Sequence, residues 1–226
     1  MCGRFTLTLS PDELQAAFPN FDIPADVPPS FNIAPSQPIP VIVNDGSNSL
    51  DFYSWGLIPS WTKPENFGKY SLINARSETA AEKASFRSSF RRRRCLILTD
   101  GFFEWSKSIL GKGKTPYYIS MKDHSAFAFA GLWEIWNSPE GDSIRTACIL
   151  TTQPNELVKP IHERMPVILS SNSYQDWLTD GEVQPEDLQG LMKPYPAENM
   201  QAYPVSTYVN TPKNNSPQCI QKSTLL

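Results

Sequence analysis

Apolar side chains along this chain come in short blocks separated by turn formers, not in long amphipathic stripes. The run Cys95-Leu96-Ile97-Leu98-Thr99 is uninterrupted, the mark of a strand buried on both faces. Residues 40–44 and 50–55 flank Asn44-Asp45-Gly46-Ser47 and predict a hairpin. Residues 116–121, 126–133, 144–152 and 165–169 read as further strands, divided by Gly- and Asp-containing turns. Helical signals are fewer. Ser10-Pro11-Asp12-Glu13 is a helix start with Ser10 as N-cap and Glu13 as its reciprocal partner, and Pro19 ends the helix near Phe18. Residues 77–90 have helical composition with Ala80, Ala81, Ala84, Phe86 and Phe90 as inward positions. Short helices are predicted at 155–159, 173–179 and 185–192, the last opened by Pro185. Residues 19–40 read as a proline-punctuated loop, and the polar tail from Pro212 is expected to be ordered only in part. The sum is an α+β chain, its strands mostly antiparallel and its helices peripheral, of a length that fits one domain or two small ones.

Composition narrows the function classes. With 40% hydrophobic and 19% charged residues in a chain of 226, a disordered or coiled-coil protein is excluded. No apolar run approaches the roughly 18–20 residues of a membrane span, and the N-terminus lacks the apolar stretch of a signal peptide. A soluble, cytoplasmic protein without a membrane partner is expected. The four cysteines, Cys2, Cys95, Cys148 and Cys219, include no C-x-x-C pair, so neither a zinc site nor a disulfide framework is expected. No metal or other cofactor is called for.

The net charge of −3 hides a division. Residues 60–122 hold 13 Lys and Arg against 5 Asp and Glu, and residues 123–200 hold 4 against 12. A basic segment of this kind makes either a phosphate-binding face or merely a solvated one.

Four places carry candidate chemistry. Initiator methionine is usually removed ahead of a small residue, which would make Cys2 the first residue of the mature chain. An N-terminal cysteine joins an α-amine of pKa about 7.7–8.0 to a thiol two carbons away. The amine attacks an aldehyde to give an imine, and the thiol closes a five-membered thiazolidine; a buried structural cysteine is the plain alternative. Of the two histidines, His124 sits in a turn and is expected at the surface, whereas His162 lies between a short helix and an apolar strand, suited to acid–base work in a cleft. Glu104 lies among aromatics in Gly101-Phe102-Phe103-Glu104-Trp105, where burial would raise its pKa; pairing with a nearby cation is its bland reading. In Asn74-Ala75-Arg76-Ser77-Glu78, Asn74 suits orientation of a reacting group and Arg76 a phosphate, aided by a helix N-terminus.

These segments resemble the SOS response-associated peptidase (SRAP) family, whose members crosslink to abasic sites in single-stranded DNA. The resemblance rests on Met1-Cys2-Gly3-Arg4-Phe5, Phe31-Asn32-Ile33-Ala34-Pro35, Trp55-Gly56-Leu57-Ile58-Pro59, the Asn74 and Glu104 segments, Ile161-His162-Glu163-Arg164-Met165-Pro166, and Val205-Ser206 followed by Val209-Asn210. Each alone is weak, but seven in family order are specific. The resemblance implies a single domain over 1–226, an open barrel of twisted antiparallel strands with helices around it. It implies Cys2 as the nucleophile that captures C1′, Glu104 as acid–base, His162 as helper in sugar ring opening and reversal, and Asn74 as the group that positions N-terminus and sugar. It further implies autocatalytic removal of Met1, a lyase or reversal activity, a DNA contact at Arg76, and weaker transfers of that role to Arg4, Trp61 and Arg87. The partner implied is abasic single-stranded DNA, met by a monomer near the nucleoid. Trp61, Phe102 and Phe103 are expected to stack on bases, and the run Arg91 to Arg94 is either extra phosphate contact or surface.

Other classes remain to be weighed. Class II glutamine amidotransferases also begin Met-Cys-Gly, but Arg4-Phe5-Thr6 and the Asn74 and His162 segments have no place there. A non-covalent reader of single-stranded or modified DNA would use the aromatics and leave Cys2 incidental. A papain-like protease is disfavoured because Cys95 and Cys148 both fall in predicted strands.

Overall fold

The computed structural model describes residues 2–68, 71–107 and 113–223. Strand β1 (Phe5–Leu7) leads into helix α1 (Pro11–Ala17), β2 (Ser30–Ile33), β3 (Pro38–Val43), β4 (Leu50–Trp55) and β5 (Asn74–Arg76). Helices α2 (Ser77–Ala80) and α3 (Arg87–Arg92) precede β6 (Arg94–Thr99), β7 (Gly101–Lys107), β8 (Lys114–Met121), β9 (Phe127–Asn137) and β10 (Ser143–Thr152). The two-residue strands β11 (Met165–Pro166) and β12 (Ile168–Leu169), helices α4 (Tyr174–Trp177) and α5 (Pro185–Leu188), and β13 (Met200–Pro204) complete the order.

Strands β10, β4, β3, β6 and β9 pair in that sequence, and β9 pairs back onto β10, so five strands make a ring. Within it only β10 against β4 is parallel. This is the barrel-like core that the resemblance implies, in a chain that is α+β with peripheral helices. All six residues of β6 are buried, as its unbroken apolar run requires. Space inside is tight: a Cβ added to Gly131 on β9 would lie 2.7 Å from the Cys95 sulfur. The second sheet, in order β13-β8-β7-β1-β2, is antiparallel throughout.

Period-two alternation along β7 decides what faces what. Phe102 turns toward the ring and meets Phe129 edge-on at 5.8 Å. Phe103 turns the other way, onto Tyr118 at 5.1 Å, in a small second core with Val205, Val209 and Cys219. Glu104 therefore shares the ring-facing side with Phe102. Phe5 of β1 packs in the same space against Trp55 at 5.1 Å and Phe129 at 5.9 Å.

Local signals hold well where they are chemical. Ser10 and Glu13 cap α1 reciprocally. The hairpin of β3 and β4 turns through Gly46 at φ +83°, a left-handed conformation that glycine adopts without strain. His124 sits exposed in its turn.

Four expectations change. The 77–90 helix breaks into α2 and α3, leaving Ala84 exposed. Ala80 and Phe86 are six positions apart, roughly 120° off one helical face at about 100° per residue, so the chain must kink to bury both. Residues 156–161 form turns, not a helix, and Pro160 supplies no amide hydrogen to extend them. The 19–40 segment contains β2 and the start of β3, and β13 lies among prolines; both β2 and β13 sit at sheet ends, where weak strand signals suffice. The tail is packed through Ser223: the Asn215 Oδ1 accepts from the Phe31 amide at 2.6 Å, Cys219 is buried, and Ser223 N donates to the Pro204 carbonyl at 2.9 Å. Among the described residues no helix is long and apolar enough to cross a membrane.

Candidate active site

Four of the expected residues meet where the second sheet abuts the ring. Cys2 precedes β1 and is fully buried. Its carbonyl oxygen accepts a 2.7 Å hydrogen bond from Nδ2 of Asn74, brought there by β5 lying parallel to β10. The Asn74 Oδ1 is buried and has no hydrogen-bond partner among the described residues. The Cys2 sulfur lies 3.9 Å from the Arg4 carbonyl oxygen. Burial first, and the Glu104 carboxylate second, push the Cys2 thiol well above its ordinary pKa, so the sulfur rests as S–H.

Glu104 is 3% exposed, and its Oε2 lies 4.0 Å from Nε2 of His162. Burial raises the carboxyl pKa above the usual carboxylate range, with positive charge on His162 pulling against it. A raised pKa suits a carboxyl to proton transfer. The His162 Nδ1 lies 3.0 Å from the Arg164 amide nitrogen and 3.2 Å from the Arg164 carbonyl oxygen. With its proton on Nδ1 the ring donates to that carbonyl, and with its proton on Nε2 alone it accepts from that amide, so Nδ1 has a partner in either tautomer.

Arg164 carries no sign of its role in the sequence beyond its place in the Ile161–Pro166 segment. Its guanidinium forks onto Glu78 at 2.6 and 2.8 Å and donates to the Thr151 carbonyl at 2.6 Å, which ties the His162 loop to α2 and β10. The Arg164 hydrogen bond, more than any other influence, holds Glu78 below its ordinary pKa.

The expected DNA contacts separate into two groups. Arg76, two residues beyond Asn74 on β5, projects to the same side of that strand and is exposed; Arg87 on α3 is exposed, and Trp61 is 54% exposed. Arg4 is turned inward at 9% exposure, its Nη1 donating to Asn32 Oδ1 at 2.7 Å and to the Val209 carbonyl at 2.8 Å. Phe102 and Phe103 are fully buried core residues, so neither stacks on a base. The four-residue α2 is too short to add a useful dipole beside Arg76.

The arginine run is structural. Arg91 and Arg92 pair with Glu182 at 3.6 and 2.6 Å, and Arg93 pairs with buried Glu134 at 2.9 Å. Arg94 is fully buried, its Nε donating to the Trp177 carbonyl at 2.9 Å and its Nη1 to that of Arg91 at 2.6 Å.

Known proteins share this chain's pattern. A family model described as SOS response associated peptidase (SRAP) matches residues 1–212. The abasic site processing protein YoqW of Bacillus subtilis is 50% identical over 225 residues, covering 98% of this chain and 99% of its own. The abasic site processing protein HMCES of Xenopus tropicalis is 33% identical over 264 positions, covering 97% of this chain and 78% of its own. A solved structure of a protein from Bacteroides thetaiotaomicron superposes with a TM-score of 0.87 at 27% identity, covering 98% of this chain and all of that one.

Proposed function

The chain belongs to the SOS response associated peptidase family, and from that premise we propose that it captures abasic sites in single-stranded DNA as a covalent adduct on Cys2. The observation that carries this reading is the burial of Glu104 beside His162, next to a Cys2 whose backbone is gripped by Asn74.

The chemistry follows in balanced steps. Hydrolysis of the Met1–Cys2 peptide, the autopeptidase half of the reading, frees the Cys2 amine. An abasic deoxyribose rests mainly as a closed hemiacetal, so ring opening needs a proton delivered to O4′ and one taken from the C1′ hydroxyl. Protonated Glu104 gives the first, and His162, in the tautomer that keeps its proton on Nδ1 toward the Arg164 carbonyl, takes the second at Nε2; the 4.0 Å between Nε2 and Glu104 lets the proton return to Glu104. The amine attacks C1′, water leaves, and an imine remains. The Cys2 sulfur then adds to C1′ while its proton passes to the imine nitrogen, closing the thiazolidine. Because the thiol starts protonated, amine attack comes first and Glu104 serves as the relay for the S–H proton. Reversal retraces the steps, and an imine that persists opens a lyase route by β-elimination. Arg76, Arg87 and Trp61 offer two phosphate contacts and a stacking surface for the flanking strand.

The test mixes purified protein with single-stranded DNA bearing one abasic site and seeks an adduct that survives heat and SDS. The expected species has the mass of protein lacking Met1, plus DNA, minus one water, and is lost in Cys2→Ala. Absence of that species from Met1-free wild type overturns the reading; binding that persists in Cys2→Ala with no adduct in either protein makes the chain a non-covalent reader.

A further inference from the structure

Arg4 is a cation set among neutral partners. It is nine-tenths buried, and among the described residues no carboxylate pairs with it. Its Nη1 is shared between Asn32 Oδ1 at 2.7 Å and the Val209 carbonyl at 2.8 Å, and its guanidinium lies 5.8 Å over the Trp105 ring. Asn32 is fully engaged in turn. Its Nδ2 reaches the carbonyls of Val209, Thr211 and Asn214 at 3.2, 3.1 and 2.6 Å. Trp105 donates from Nε1 to Asn210 Oδ1 at 2.8 Å. Segments that the sequence shows as separate motifs, around Arg4, Asn32, Trp105 and Val209-Asn210, thus form one hydrogen-bonded knot behind β7.

Burying a guanidinium without a counter-charge is costly, and chain ends fray unless tied down. The knot lies two residues from Cys2, whose sulfur lies 3.9 Å from the Arg4 carbonyl oxygen and whose own carbonyl is held by Asn74. The Arg4 carbonyl also accepts from the Phe103 amide at 2.9 Å, so fixing Arg4 fixes the entry of the N-terminal segment onto β7. We propose that Arg4, clamped by Asn32 and the Val209 carbonyl, is a positioning residue that holds Cys2 in its reactive place and makes no contact with nucleic acid. This rests on Cys2 being the capturing group; the placement itself is open to test without DNA.

The experiment compares wild type, Arg4→Met and Asn32→Ala in two arms. The first is timed alkylation by iodoacetamide with mass readout at each cysteine, where buried Cys95 and Cys148 report on global opening. The second is single-turnover capture of abasic single-stranded DNA at saturating protein, with Kd for intact-strand DNA measured separately. In both variants Cys2 should be alkylated at least tenfold faster while Cys95 and Cys148 keep wild-type protection. Capture at saturation should slow tenfold or more with Kd within twofold, and Arg4→Lys, which keeps the charge but loses the planar guanidinium over Trp105, should fall between. Wild-type Cys2 protection in Arg4→Met overturns the proposal. So does equal labelling of Cys95, Cys148 and Cys2, which would make Arg4 a general stabilising group, and so does a loss confined to Kd, which would make it a DNA contact. Should wild type fail to capture at all, the functional reading falls while the alkylation arm still decides the placement.

Discussion

Nε2 of His162 stands 4.0 Å from Oε2 of Glu104, with the carboxylate buried and the imidazole a quarter exposed. That pairing gives a buried proton donor one side facing the cleft and a partner reachable from solvent. Removing the carboxyl while keeping its shape, in Glu104→Gln, should slow capture of abasic DNA by a factor on the order of 10²–10⁴, the usual worth of a positioned acid–base group. His162→Ala should cost less, since solvent has access to its side of the pair. Single-turnover rates for the two variants check the ranking.

The same carboxyl makes a stability prediction. Because burial raises its pKa, the folded protein holds this proton more tightly than the unfolded chain does. The contribution of Glu104 to stability is therefore whole below the ordinary carboxylate pKa and is lost as pH rises through the raised folded value. Glu104→Gln has no such loss. Its melting temperature relative to wild type should climb as pH rises through that interval, and a difference that is flat with pH would contradict the burial.

Asn74 grips the Cys2 carbonyl with an amide hydrogen, and an ionised carboxylate has none to offer. Asn74→Asp should therefore slow capture about as much as Asn74→Ala, by roughly 10–100-fold, the scale expected when a reacting group loses its alignment. Recovery of rate in the Asp variant at neutral pH would show that the donated hydrogen is dispensable.

Two arginines from the same basic stretch should behave in opposite ways. Arg94 serves backbone carbonyls around α4 from inside the protein, and Arg94→Met leaves those acceptors bare, at about 1–3 kcal/mol for each that water cannot reach. Its unfolding free energy should drop without a change in the salt dependence of DNA binding. Arg76→Ala should leave stability within about 0.5 kcal/mol and lower the slope of log K against log salt by about 0.7, one phosphate's worth for a single strand. Denaturant titration and binding at several salt concentrations separate the two.

Trp61 presents its indole at the surface. Trp61→Ala should weaken binding of single-stranded DNA by about 1–3 kcal/mol, the value of one base stack, with capture at saturation little changed. A full loss of capture at saturation would move Trp61 from the binding surface into the reaction centre.

Much of this protein is determined locally. The capping pair Ser10 and Glu13, the glycine turn between β3 and β4, and the apolar runs of β6, β8, β9 and β10 each depend on neighbours a few residues away, so their signals survive in the bare sequence. Cys2, Asn74, Glu104 and His162 stand out by residue type and motif alone. The tertiary structure decided what depends on distant segments. It closed the ring through β9 and β10, and it supplied the partners that let β1, β2 and β13 exist as strands. It also settled the fate of the cations: Arg4 and Arg94 were turned inward, Arg91, Arg92 and Arg93 were spent on acids, and Arg76 and Arg87 were left outside. An arginine carries no local mark of whether it will meet a phosphate or a buried carbonyl. That is set by which acceptors the rest of the chain brings within about 3 Å, and for Asn74 and Cys2 those partners lie 72 residues apart.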